Sequence, residues 1–183
     1  MIKRGAFVAM ALLLCACTPK LEQAEVNEML LKPSRGLLGG IEFGDSWEKI
    51  KADHDKRYTV RDEKMAEGSF QQLRRDLSDP GTNGYMITFQ LDEQKNVKSY
   101  SAEIMGRKDN AVVVRQVLDD VIAHFDKKVG GGKCGKSPGG KGNSSNCRWS
   151  SKDGGPTVQV MYMEGNDPIS GDIHIEINPP AKN

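Results

Sequence analysis

An α+β fold, with an antiparallel sheet packed by helices on one face, is what this 183-residue chain predicts, on three observations. The stretch "YMITFQL" sets Tyr85, Ile87, Phe89 and Leu91 at strict period two. After the turn "DEQKN", the stretch "VKSYSAEI" repeats the pattern with Tyr100, Ala102 and Ile104, which is a hairpin with one buried face. Residues 109 to 129 carry Ala111, Val114, Leu118, Val121, Ile122 and Phe125 along one helical stripe. Beyond them, Val158, Val160 and Tyr162, then Ile173, Ile175 and Ile177, alternate as strands. The order helix, strands, helix, strands is compatible with two repeats of one helix-plus-strands unit.

Taken in order, residues 18 to 40 mix polar and apolar residues and end in Pro33 and a Gly pair. They read as a tether with one short helix over Leu21 to Leu31. In "FGDSWEKIKADH", Asp45 and Ser46 are candidate helix caps, with Glu48 three residues after Asp45. Trp47 and Ile50 would face the core from a helix of about ten residues. "YTVRD" alternates weakly, and "SFQQLRRDL" fits strand or helix, because Phe70, Leu73 and Leu77 also suit helical spacing. "DPGTNG" is a turn. Asp109 is placed to cap the long helix, Lys127 and Lys128 suit its C-terminal dipole, and Gly130 tolerates a left-handed cap. "CRWSS" is a further strand.

The first residues, "MIKRGAFVAMALLLCACTPK", place Lys3 and Arg4 before an apolar run from Ala6 to Leu14. That run is too short for a membrane span and has the layout of a secretory signal peptide. Leu14-Cys15-Ala16-Cys17 resembles the lipobox of bacterial lipoproteins. The resemblance implies cleavage before Cys17, acylation of that cysteine, and a signal peptide over 1–16. Thr18 lacks the aspartate that signals inner-membrane retention, which implies an outer-membrane, periplasm-facing address. Segment 17–40 is then the lipidated tether, 41–178 one domain, and 179–183 a tail.

Loss of Lys3 and Arg4 from the 26 Lys and Arg leaves 24 against 25 Asp and Glu, a near-neutral chain. That balance excludes the strongly basic footprint of a nucleic-acid-binding protein. Cys134 and Cys147 remain, and in an exported chain two nearby cysteines most simply form a disulfide. A metal site would need a second Cys or His pair at ligand spacing, which the sequence lacks.

"GGGKCGKSPGG" contains Gly130-x-x-x-x-Gly135-Lys136-Ser137, which matches a phosphate-binding loop in letters. Such a loop needs a strand before it and a helix N-terminus after it. Here a helix precedes the glycines, so no nucleotide is expected. From Lys127 to Lys152 the chain holds seven cations and no acid. A solvated loop explains that charge, and so does a contact surface for an anionic partner. Lys133, Lys136, Lys141 and Arg148 are its candidate residues, with Trp149 as an anchor, although a tryptophan beside a cysteine in a strand is more often core. His54, His124 and His174 are scattered, the serines lack a nucleophile elbow, and Glu103, Glu164 and Glu176 form no pair by spacing. No enzyme, cofactor or metal is expected.

The lipobox, the tether, the Gly-Asp-Ser-Trp helix start and the hairpin "ITFQLDEQKNVKSYSAEI" together are similar in layout to small outer-membrane lipoproteins of the BamE/SmpA type. Related inhibitor modules that repeat a helix-plus-sheet unit show the same order. The resemblance implies a non-catalytic protein that works by contact. It would be an accessory subunit of an envelope assembly or secretion machine, or alternatively a periplasmic inhibitor or immunity protein against a toxin or lytic enzyme.

Overall fold

The computed structural model describes residues 23–32, 35–54, 59–65, 68–76, 83–106, 114–136, 144–151, 153–165 and 171–180. The signal-peptide region, Cys17, Asp109, Ala111 and Lys141 lie outside them. Two short helices come first, α1 (Gln23–Leu30) and α2 (Trp47–Asp53), followed by strands β1 (Thr59–Met65), β2 (Gly68–Asp76), β3 (Asn83–Leu91) and β4 (Val97–Gly106). The long helix α3 (Val114–Lys128) leads into β5 (Lys133–Lys136), β6 (Ser145–Ser150), β7 (Thr157–Glu164) and β8 (Gly171–Asn178). The fold is α+β, and the eight strands among the described residues form one sheet in the order β1-β2-β3-β4-β8-β7-β6-β5. Every neighbouring pair is antiparallel. Each group of four is thus a meander, and the two join where the last strand of one pairs with the last strand of the other.

Register explains why the period-two residues become a core. Tyr85, Ile104, Ile173 and Tyr162 form one row across the sheet. Ile87, Ala102, Ile175, Val160 and Cys147 form the next, and Phe89, Tyr100, Ile177, Val158 and Trp149 the third. All of these side chains are buried. From α3 they meet Val114, Val117, Leu118, Val121 and Phe125 in one cluster, with Ile122 packed at its margin. Trp47 and Ile50 of α2 join it as the sequence predicts, Trp47 lying 5.4 Å from the Phe89 ring.

Several elements differ from the sequence reading. Of the ambiguous "SFQQLRRDL", residues 69–76 belong to strand β2, because pairing with β1 and β3 on both sides overrides their helical spacing, and Leu77 lies outside the described residues. Helix α2 has seven residues rather than about ten, ending in extended backbone at His54. Ser46 is its N-cap, accepting from the Lys49 amide at 3.2 Å. Asp45 instead accepts from Arg35 Nη2 (2.6 and 2.8 Å), Lys49 Nζ (2.9 Å) and the Glu42 amide (3.0 Å). Despite partial desolvation, the Lys49 and Arg35 cations and that amide hold the Asp45 carboxyl below its ordinary range.

The short helix expected over Leu21 to Leu31 is present as α1, and the described part of segment 17–40 packs against the domain. Val26, Leu30 and Leu38 are buried in the main core, and Asn27 donates to Asp120 of α3 at 2.7 Å. The mixed polarity that suggested a linker is that of an amphipathic helix too short to show its period. The turn after it depends on Gly36, whose φ is 65° and where a Cβ would lie 2.0 Å from the Ile41 carbonyl oxygen. Gly36→Ala is therefore expected to cost about 2 kcal/mol or more, since backbone on both sides must move. A urea unfolding midpoint unchanged from the parent would contradict this packing.

Candidate functional site

The "basic loop" begins as structure. Helix α3 stops at Lys128, the chain reverses through Gly130 at φ 107°, and Lys133 to Lys136 form strand β5, which the sequence reading took as loop. Cys134 pairs with Cys147 across the β5–β6 ladder, and the expected disulfide joins them. The glycine motif thus runs from a helix C-terminus into a strand, the reverse of a phosphate-binding loop.

Strand alternation then divides the cations. Cys134 shares the core-side face with buried Cys147, so Lys136, two residues on, lies on that face too. Lys133 pairs with Arg148 on the opposite face, placing two like charges side by side. Such a pair is unfavourable, and Arg148 takes no acid but donates to Gln159 Oε1 at 3.1 Å. Among the described residues, Lys133, Lys136 and Arg148 form no ion pair. All three are exposed.

Trp149 does not belong with them. It is 1% exposed, packs 5.5 Å from the Phe125 ring, and donates from Nε1 to Asp126 Oδ1 at 2.7 Å. An exposed anchor is thereby corrected to a core residue, because position 149 falls on the same face as Cys147. Asp126 also accepts from the Gly132 amide at 2.9 Å, so one carboxylate ties the end of α3 to both β5 and β6. Those two donors, Gly132 first, hold its carboxyl below the ordinary aspartate range. A lowered native value means the ionised form stabilises the fold. The contribution is complete above about pH 4 and is lost as pH falls through the native value. Asp126→Asn should therefore flatten the acid limb of the stability–pH profile, measured by urea midpoints. An acid limb as steep as the parent's would refute the latch.

On the core side, Lys136 faces a cleft of about 700 Å³ lined also by Arg115, Ser144, Ser145, Tyr162 and Glu164. Arg115, in the first turn of α3, sits over the Tyr162 ring at 5.6 Å from its centroid. Burial first, then the nearby Glu164 charge, raises the Tyr162 hydroxyl above its ordinary range, so it is a donor at neutral pH.

The other sheet face holds a cluster the sequence reading missed. His174 Nδ1 lies 3.3 Å from Glu103 Oε1, and its Nε2 lies 3.2 Å from Glu176 Oε1. A depression of about 270 Å³ beside it is lined by Thr88, Ser99, Ser101 and Asn178. The spacing of His174 and Glu176 places them on one face, but Glu103 joins them only because β8 pairs with β4. The carboxylates occupy opposite ring nitrogens, so they cannot converge with the imidazole on one ion. No group of three metal-ligating side chains occurs among the described residues. His124 is half-buried and contacts the Leu37 carbonyl at 2.8 Å, while burial lowers its basicity. His54 contacts the Lys51 carbonyl. The first ties α3 to the segment before Ile41, and the second is local to the end of α2.

No protein-family model, curated protein or solved structure matches this chain.

Proposed function

We propose that this chain is a lipid-tethered, non-catalytic contact protein of a bacterial envelope, held at the outer membrane through Cys17 and facing the periplasm. In this reading its domain presents the basic end of the sheet to an anionic surface on a protein partner, as an accessory subunit of an envelope assembly would. The carrying observation is the distribution of charge around edge strand β5. Lys133 and Arg148 stand on one side of it and Lys136 with Arg115 on the other, all exposed. A like-charge pair raises the energy of the isolated domain, and an anionic partner would reverse that sign. Lysines alone would serve to blunt an edge against aggregation; the paired arginine is surplus to that task.

The same reading takes the helices as covering one sheet face and leaving the polar face open. It treats the two meanders, each preceded by a helix, as two copies of one helix-plus-strands unit. The order of elements and the single-sided burial of the three rows support it. The Cys134–Cys147 disulfide suits an oxidising compartment.

The tether is tested by labelling cells with an alkyne fatty acid. Label on the parent chain in the outer-membrane fraction, absent from Cys17→Ala, is the expected result. An unlabelled parent chain, or equal label on the variant, would overturn the anchor. Recovery of a toxin or lytic enzyme as the crosslinked partner would favour the inhibitor form of contact.

A further inference from the structure

We propose that the cleft between α3 and the β5–β6 hairpin is a carboxylate-binding site that takes an acidic side chain of the partner protein. The inference rests on the contact reading above and gives it a defined chemical target.

Three features of the cleft select the ligand. Its cations come from different elements, Arg115 from the first turn of α3 and Lys136 from β5, and each faces the same space. Arg115 lies over the Tyr162 ring, which places its guanidinium fork at the wall of the cleft. A planar fork of this kind matches a carboxylate in two parallel hydrogen bonds, and an ammonium beside it adds a point charge. Tyr162 and Ser145 add hydroxyl groups to the wall.

Charge decides between anions. The lining cations Arg115 and Lys136 face Glu164 in the lining and Asp119 at 4.0 Å from Arg115, so the small positive charge of the site suits a singly charged carboxylate better than a more highly charged anion. A phosphate monoester carries about −1.5 to −2 near neutrality and would meet Glu164 uncompensated. The cleft is also far larger than one carboxylate needs, and its volume suits a side chain with its flanking backbone. The outer edge of β5, last in the sheet order, lies along it. Gly135 falls on the opposite face of β5 and carries no side chain, and even an added Cβ would meet nothing within 4 Å, so that side of the edge is uncrowded. An extended segment of the partner can therefore approach the strand while one carboxylate enters the cleft. The disulfide at Cys134 fixes the strand that carries Lys136 against β6.

The test is titration of the full chain in detergent micelles, followed by NMR, with a hexaglutamate peptide as the probe. Hexaglutamine and glycerol phosphate are the comparison ligands. Expected are shifts confined to Arg115, Lys136, Ser145 and Tyr162, with hexaglutamine silent and glycerol phosphate weaker. Arg115→Gln and Lys136→Gln should each weaken hexaglutamate binding by about tenfold or more. Lys98→Gln, exposed on β4 and outside the contact surface, should leave it within about twofold. Equal losses in all three variants would mean diffuse electrostatics and overturn the site, as would stronger binding of glycerol phosphate. Because the probe is free in solution, failure here leaves the Cys17 anchor and the contact reading standing. An unlabelled Cys17 likewise leaves this result unaffected.

Discussion

Trp149→Ala is expected to be the most damaging single substitution in the chain, lowering stability by about 3–5 kcal/mol. The side chain is among the largest of the fully buried ones, and it closes the row that begins at Phe89. Its loss opens a cavity beneath Phe125 and removes the Nε1 donor from Asp126. Gly132 passes so close that a Cβ there would lie 2.3 Å from the indole, so the backbone before β5 is shaped around this ring. Thermal unfolding should fall by about 2–4 °C for each kcal/mol in a chain of this size. Trp149→Phe should retain much of the packing and lose mainly the hydrogen bond. A loss of under about 1 kcal/mol for the alanine variant would return Trp149 to the surface.

Removing the disulfide comes second. The double variant Cys134→Ala/Cys147→Ala is expected to lose about 3 kcal/mol, the chain-entropy value for a loop of this size. The cysteines are 13 residues apart, and between them lie the ends of β5 and β6. Strand β5 has four residues, all exposed, and a partner on one side only, so little else retains it. The parent chain under reductant should unfold at the midpoint of the double variant, and the variant should ignore the reductant. A reduced parent as stable as the oxidised one would mean that strand pairing alone holds the hairpin.

These two effects bear on what sequence could disclose. The apolar alternation of β3, β4, β7 and β8 was legible because each strand buries one face against the core, which leaves a period in the residues themselves. The stripe on α3 was legible for the same reason. Strand β5 was not, since a four-residue exposed edge has no buried face to write a pattern, and Gly and Lys disfavour strands in isolation. α1 was legible as a short helix, but its packing was not, because two buried apolar residues, Val26 and Leu30, make too short a signal. Trp149 was legible only as an alternative; its face follows from the register with Cys147. Glu103 beside His174, and Arg115 beside Lys136, arise from the meeting of the two meanders and from helix placement. Such contacts depend on strand order, which local spacing does not encode.

The division of the lysines matters most for function. A run of cations in sequence suggests one patch, yet the pleat sends Lys133 and Arg148 to one face and Lys136 to the other. In the proposed contact, the edge of β5 is the line around which an anionic partner folds. Photo-crosslinking in intact envelopes from a benzoylphenylalanine at Gly135, on that edge, tests the contact reading most directly. A discrete protein adduct at Gly135, weakened when Lys136 and Arg148 are reversed in charge and absent from a probe at exposed Gln116 of α3, is the result this account predicts. No protein adduct at Gly135, or equal adducts at Gln116, would contradict it.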